Sequence, residues 1–195
     1  MNRLRQLILT FILLWITVKM AFFFTGNALE GFGFTGHPLE GLGFSFFLNL
    51  LFILLIEFFA LQFKYKTITL DQSNFLIDMK DCVKAGATYV VFVVLFLVCY
   101  YYLIHPELVQ GHIEDGVAIA IEQSSDPEYF EELKRRNVNL PPNATPEDYV
   151  AGTRADAEHY LGWAFVGGMC LMGLTVLSIF NAVFITLLYR KVLLK

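Results

Sequence analysis

Residues His105–Glu158 read HPELVQGHIEDGVAIAIEQSSDPEYFEELKRRNVNLPPNATPEDYVAGTRADAE, a polar stretch set between long apolar runs. It holds twelve acidic side chains against four basic ones (Lys134, Arg135, Arg136 and Arg154), a local balance of −8. Charged side chains cost roughly 3 kcal/mol each at the centre of a membrane helix. A segment this acidic therefore lies outside any membrane that its neighbours cross.

The flanking runs have the length to cross one. Leu7–Phe24, Phe44–Phe63, Ala87–Ile104 and Tyr160–Leu188 reach or approach the ~20 residues that a helix needs to span about 30 Å of hydrocarbon. In lipid such runs are helical, because no water is present to pair free backbone groups. With 195 residues, 56% of them hydrophobic, and a mean hydropathy of +0.57, the chain is not an ordinary soluble globular domain. The expected fold is an all-α integral membrane protein, with four transmembrane helices and an acidic extracytoplasmic helical hairpin between the third and fourth. Residues 1–195 form one membrane domain, with spans at about 7–24, 44–63, 87–104 and 160–188. Between them lie an extracytoplasmic repeat loop (25–43), a cytoplasmic amphipathic loop (64–86) and an extracytoplasmic helical segment (105–159).

Charge gives the orientation. Arg3, Arg5, Lys64, Lys66, Lys80, Lys84, Arg190, Lys191 and Lys195 lie at the two termini and in the loop after the second span, against Asp71, Asp78 and Asp81. Nine cations and three carboxylates leave +6 in regions that four spans place on one side, which the positive-inside rule assigns to the cytoplasm. Both termini are then cytoplasmic. The first run has no A-x-A-like cleavage site and is interrupted by Lys19, so it reads as a span rather than a signal peptide. Cys82, Cys99 and Cys170 fall in the cytoplasmic loop or the spans, and no disulfide framework is expected.

Inside the polar segment, Val109, Ile113, Val117, Ala120 and Ile121 form an apolar stripe at helical spacing. Ser125-Asp-Pro-Glu opens a second short helix, and Thr145-Pro-Glu-Asp a third, as capping boxes. No strong breaker is read between that third helix and Arg190, so it is expected to continue into the last span. In the cytoplasmic loop, Asp71 is the expected N-cap of a surface helix reaching Lys84. The loop after the first span contains a tandem repeat, TGNALEGFGF (Thr25–Phe34) and TGHPLEGLGF (Thr35–Phe44), identical at seven of ten positions. Its Phe32, Phe34, Leu42 and Phe44, together with Val109, Ile113, Val117 and Ile121, are the candidate partner-binding residues; a tolerated loop resting on the bilayer is the alternative for the repeat.

The intramembrane polar candidates are Lys19, Glu57, Asn49 and Asn181. Lys19 lies near the outer face and Glu57 about 10 Å from the inner one. Snorkelling of each to the nearer interface is preferred to an ion pair or proton relay. Ala164, Gly167, Gly168 and Gly173 are candidate helix-packing residues of the last span. His105, His112 and His159 lack metal-ligand spacing, no nucleophile has a recognisable base, and no phosphate-binding glycine loop occurs, so no catalytic residue, metal or cofactor is expected. A basic surface for nucleic acid is also lacking.

The second half, roughly Thr67–Lys191, resembles a bacterial family of small inner-membrane proteins described as domain of unknown function 4199. The resemblance rests on Thr67-Ile-Thr-Leu, the third span ending Tyr102-Leu-Ile-His-Pro-Glu-Leu, the acidic helical hairpin, and the glycine-bearing last span closing with Tyr189-Arg-Lys. It implies four spans in the inner membrane with both termini inside, and it supplies neither activity nor site residues. Two functions follow as expectations. The first is a non-catalytic accessory or scaffold subunit that meets another membrane protein through its hairpin and repeat loop. The alternative is a small transporter or channel component using Lys19 and Glu57, working as a homo-oligomer in the lipid bilayer.

Overall fold

A computed structural model describes residues 2–25, 38–136, 140–141 and 143–193, with side-chain surroundings for residues 3–21, 46–136, 140–141 and 143–192. The described residues are mostly helical, with no strand, and four stretches are long and apolar enough to cross a membrane: Arg3–Ala21, Phe46–Lys64, Phe75–Ile104 and Trp163–Val192. The chain divides into two compact units, Met1–Phe96 with Cys170–Lys195, and Leu97–Met169.

The first unit is built from α1 (Asn2–Thr25), α2 (Pro38–Lys64), most of α3 (Phe75–Cys99) and most of α7 (Trp163–Leu188). Its helix boundaries depart from the sequence reading in two places. α2 begins at Pro38, so residues 38–43 are helix rather than repeat loop; proline's fixed φ suits a first helical turn. Residues 26–37, and all side chains from 22 to 45, lie outside the described set, and with them Phe32, Phe34, Leu42 and Phe44. Further on, Asp71 sits in a short 3-10 turn (Leu70–Gln72), and the cap of α3 is Asn74, whose Oδ1 accepts from Ile77 N at 3.0 Å.

From Phe75, α3 runs without interruption to Cys99 and closes in a π turn over Tyr100–Ile104. No separate surface helix precedes the third span. The reason is visible in its buried face: Asp78, Cys82, Ala85, Gly86, Tyr89, Val90 and Val93 continue one helical stripe across the expected boundary near residue 86.

Lipid tails are as apolar as leucine, so close packing and polar contacts, rather than water exclusion, join these helices. Phe11 meets Phe52 at 4.9 Å between centroids, and Trp15 meets Phe96 edge-on at 5.5 Å. At the basic end, Leu61, Cys82, Ala182, Ile185 and Tyr189 form a core shared by α2, α3 and α7. Outward-facing Phe47 and Phe180, 69% and 70% exposed, are among the side chains left for lipid.

The second unit contains α4 (Pro106–Ser125), α5 (Pro127–Arg136) and α6 (Pro146–Tyr160), and α4 packs along α6. Here the expected partner-binding stripe is used up inside the chain. Ile113, Val117 and Ala120 are buried, Val109 is half-buried, and Ile121 alone is exposed. An apolar stripe on a water-facing helix needs cover, and α6 supplies it. Phe130 of α5 is buried, with Tyr149 at 6.0 Å and the Lys134 ammonium 5.1 Å from its ring centroid. The α5 cap is Asp126 rather than Ser125: its Oδ1 accepts from Glu128 N at 2.9 Å.

α6 does not run on into the last span. It ends at Tyr160, and a turn at Leu161-Gly162 separates it from α7. A Cβ at Gly162 would lie 3.0 Å from His159 O, so the small residue fits the turn. Tyr102 Oη donates to Leu161 O at 2.5 Å and ties the turn to the end of α3.

The start of α6 is a full capping box. Thr145 N donates to Asp148 Oδ2 at 2.9 Å, and Asp148 N donates to Thr145 Oγ1 at 3.2 Å. The backbone N–H of Thr145, then its hydroxyl, hold the Asp148 carboxyl below the ordinary aspartate range. A depressed carboxyl contributes stability above its unfolded value and loses it as pH falls through the folded one. Amide exchange at Glu147–Val150 is therefore expected to lose protection as pH drops below the ordinary aspartate range, and the Asp148→Asn variant should lack that step.

Candidate functional site

A column of buried polar side chains runs through the first unit, and its spacing follows from helix geometry. On α3, Asp78, Cys82 and Gly86 lie four residues apart; on α7, Ser178, Ala182 and Thr186 do the same, and Arg190 continues the ladder in the π turn (Tyr189–Leu193) that follows. Residues four apart share one helix face, so each helix presents its polar and small groups to the other two. α2 supplies Asn49, Glu57 and Lys64. Tyr89 Oη donates to Asn49 Oδ1 at 2.8 Å. Cys82 Sγ lies 3.6 Å from Glu57 O and 3.9 Å from Thr186 Oγ1. Two carboxyls dominate the column, in opposite surroundings.

Glu57 is fully buried. Ser178 Oγ donates to its Oε1 at 2.6 Å, and its Oε2 has no hydrogen-bond partner. Gly86 explains how the three helices come so close: a Cβ there would collide with both Ser178 Oγ and Glu57 Oε1. Snorkelling is thus not what Glu57 does, and no ion pair joins it to Lys19, which is half-buried and has an interaction of its own. Snorkelling needs reach to water, and α3 and α7 close that route. Burying an ionised carboxylate costs several kcal/mol unless a cation offsets it; the neighbour here is a neutral hydroxyl.

Asp78 is equally buried yet fully matched. Its Oδ1 accepts from Ser73 Oγ at 2.7 Å and faces Lys64 Nζ at 2.9 Å. Its Oδ2 accepts from Tyr65 Oη and from Arg190 Nη1, both at 2.5 Å. Four donors fill the lone-pair positions of one carboxylate. Arg190 Nη1 also donates to Tyr65 Oη at 3.0 Å, Tyr65 stacks on Tyr189 at 5.6 Å, and Lys64 reaches Asp81 at 2.5 Å. Burial, and then donation to Asp78, push the Tyr65 hydroxyl above the ordinary phenol range, so it stays a donor. This cluster ties the ends of α2, α3 and α7 together.

Of the sequence candidates, Asn49 and Glu57 join the column. Asn181 lies three residues beyond Ser178 on α7, and its Nδ2 is buried without a partner. Gly167 packs, with a Cβ position 3.0 Å from Val98 Cγ2, but Ala164, Gly168 and Gly173 face outward, and nothing lies within 4 Å of either glycine's Cβ position. A tighter helix contact is closed by Gly86, in α3. Sequence reasoning missed it, along with Asp78, Ser178 and Arg190; the four-residue ladders on α3 and α7 were the available signal. Among the described residues no cluster of three metal-ligating side chains forms. No protein-family model, curated protein or solved structure matches this chain.

Proposed function

We propose that this chain is a small proton-linked transport or channel component of a bacterial inner membrane, with the Glu57 carboxyl as its proton-binding group. The observation that carries this reading is the contrast just described. Asp78 is surrounded as an anion, whereas Glu57 has one neutral donor and a bare Oε2. In an apolar interior such a group neutralises by taking up a proton, and intramembrane ionisable residues mark ion and proton paths. Four spans make a thin bundle, so the working form is an oligomer. The positive-inside rule puts the Asp78 cluster and both termini in the cytoplasm; the bacterial setting comes from the family resemblance.

The test is proton flux into vesicles holding a pH-sensitive dye, driven by a potassium diffusion potential. Wild-type protein should exceed protein-free vesicles, and Glu57→Gln, which keeps the shape and the Ser178 contact, should return flux to that background. Equal flux in wild type and variant would sink the proposal. An apolar carbodiimide, which reacts with a protonated carboxyl in a hydrophobic setting, should label wild type and not Glu57→Gln.

The second reading is the accessory subunit. Ile113 and Val117 of the expected surface are covered within the chain, but Ile121 stays exposed, and an open groove of ≈ 570 Å³ on the second unit, lined by Ile121, Pro146, Val150 and Arg154 among others, favours this reading. A stoichiometric protein co-purifying in mild detergent and lost on Ile121→Glu is its expected signature.

A further inference from the structure

The ion pairs of the first unit sort its charges. Lys64 and Arg190 are taken up by Asp78 and Asp81. Among the described residues this leaves Arg3, Arg5, Lys66, Lys80, Lys84 and Lys191 without an ion pair at the basic end, against one carboxylate, Asp71. A belt that looks mixed in sequence is nearly all cationic where it is free. Two of its members form a defined pair. Lys80 and Lys84 are exposed one turn apart on α3, opposite the face that carries Asp78, Cys82 and Gly86. Neighbours at this spacing lie about 6 Å apart.

One turn above them Thr88 is exposed with its hydroxyl donating to Lys84 O at 2.7 Å, and beyond it the strip is apolar. Val91, Phe92 and Leu95 follow on the same outward face, 44%, 50% and 57% exposed. Ala85 to Ile104 is a run of twenty residues, about 30 Å of helix and so one hydrocarbon thickness. Lys84 then marks the hydrocarbon edge, and Lys80 lies a turn beyond it, at the depth of lipid phosphates. Helical side chains lean toward the N-terminus, which carries the Lys84 ammonium toward the same depth.

We infer that Lys80 and Lys84 bind the headgroup of an anionic phospholipid whose acyl chains lie along Val91, Phe92 and Leu95. Charge complementarity selects the anion, and the apolar strip that begins past Thr88 selects a lipid over a free anion. Juxtamembrane cations draw anionic lipid in this way.

Native mass spectrometry of the full-length protein in mild detergent, incubated with equal amounts of dioleoylphosphatidylglycerol and dioleoylphosphatidylcholine, tests the site. Wild type should retain the anionic lipid in preference, and the Lys80→Gln/Lys84→Gln variant should lose roughly fivefold of that preference per lysine. Lys80→Arg/Lys84→Arg should keep it. Equal retention of the two lipids by wild type, or an unchanged preference in the double glutamine variant, overturns the assignment. So does an equal loss in Lys66→Gln/Lys191→Gln, which would mark a diffuse charge effect. Complete displacement of the anionic lipid by millimolar inorganic phosphate would identify a free-anion site instead and overturn it too.

Discussion

Replacing Asp78 with alanine is expected to lower the stability of the protein by about 3–5 kcal/mol, the range seen when one partner of a buried ion pair is removed. The side chain has no exposure, while Lys64 and Arg190 are only 16% and 23% exposed, so the deletion leaves two partly buried cations facing an emptied position. Lys64 retains Asp81 at 2.5 Å, but Arg190 keeps only Tyr65 Oη and Ser73 O, at 3.0 and 3.4 Å. Asp81 provides the comparison. It contacts the same lysine but is 44% exposed, and exposed pairs contribute about 0–1 kcal/mol, so Asp81→Ala should be nearly silent. Denaturation in mixed micelles, followed by circular dichroism, measures both. Losses of equal size would refute the view that Asp78 is the centre of the cluster.

Gly86→Ala is the second substitution with a large expected effect. One methyl group enters space held by Ser178 Oγ and Glu57 Oε1. Either the two side chains part and lose their 2.6 Å bond, or α3 moves outward. Overpacking and a broken buried hydrogen bond each cost about 1–3 kcal/mol. Gly111 and Gly116 of α4 have nothing within 4 Å of a Cβ, and alanine there should be neutral or stabilising by up to about 1 kcal/mol. The same micelle denaturation separates the two classes. Carbodiimide labelling of Glu57 adds a readout that stability does not move by itself: Gly86→Ala should change its rate even where the variant remains folded.

The spans were legible because apolar length is a property of contiguous residues. Helix existence was read correctly for the acidic segment for the same reason, since the stripe from Val109 to Ile121 repeats locally. What covers a stripe is not local. Ile113 and Val117 carry the same pattern whether they meet α6 or a foreign protein, and here α6 covers them. The glycines failed in a related way. Gly168 and Gly173 stand in the more glycine-rich span, but closeness belongs to pairs of helices, and Gly86 is the one opposite a carboxyl. Glu57 was singled out by its apolar neighbours along the chain; its burial depends on Ser178, 121 residues away. Asp78 looked like one acid of a solvated loop because its partners, Lys64, Tyr65, Ser73 and Arg190, come from three separate stretches. Cap identity at Asn74 and Asp126 was decided between neighbouring residues of equivalent chemistry, where sequence offers little to choose.

The hydrogen bonds of the column also fix an order of biogenesis. Asp78 meets Lys64, Tyr65 and Ser73 across no more than 14 residues, so these contacts can form while ribosomal synthesis has barely passed α3. Ser178 and Arg190 reach back 121 and 112 residues. Until α7 is synthesised and inserted, the nascent protein holds Glu57 without its hydroxyl and Asp78 without its guanidinium. Both carboxyl sites are therefore completed only when the stretch from Ser178 to Arg190 arrives, and any factor that shelters the half-made protein in the membrane would have to release it at that moment.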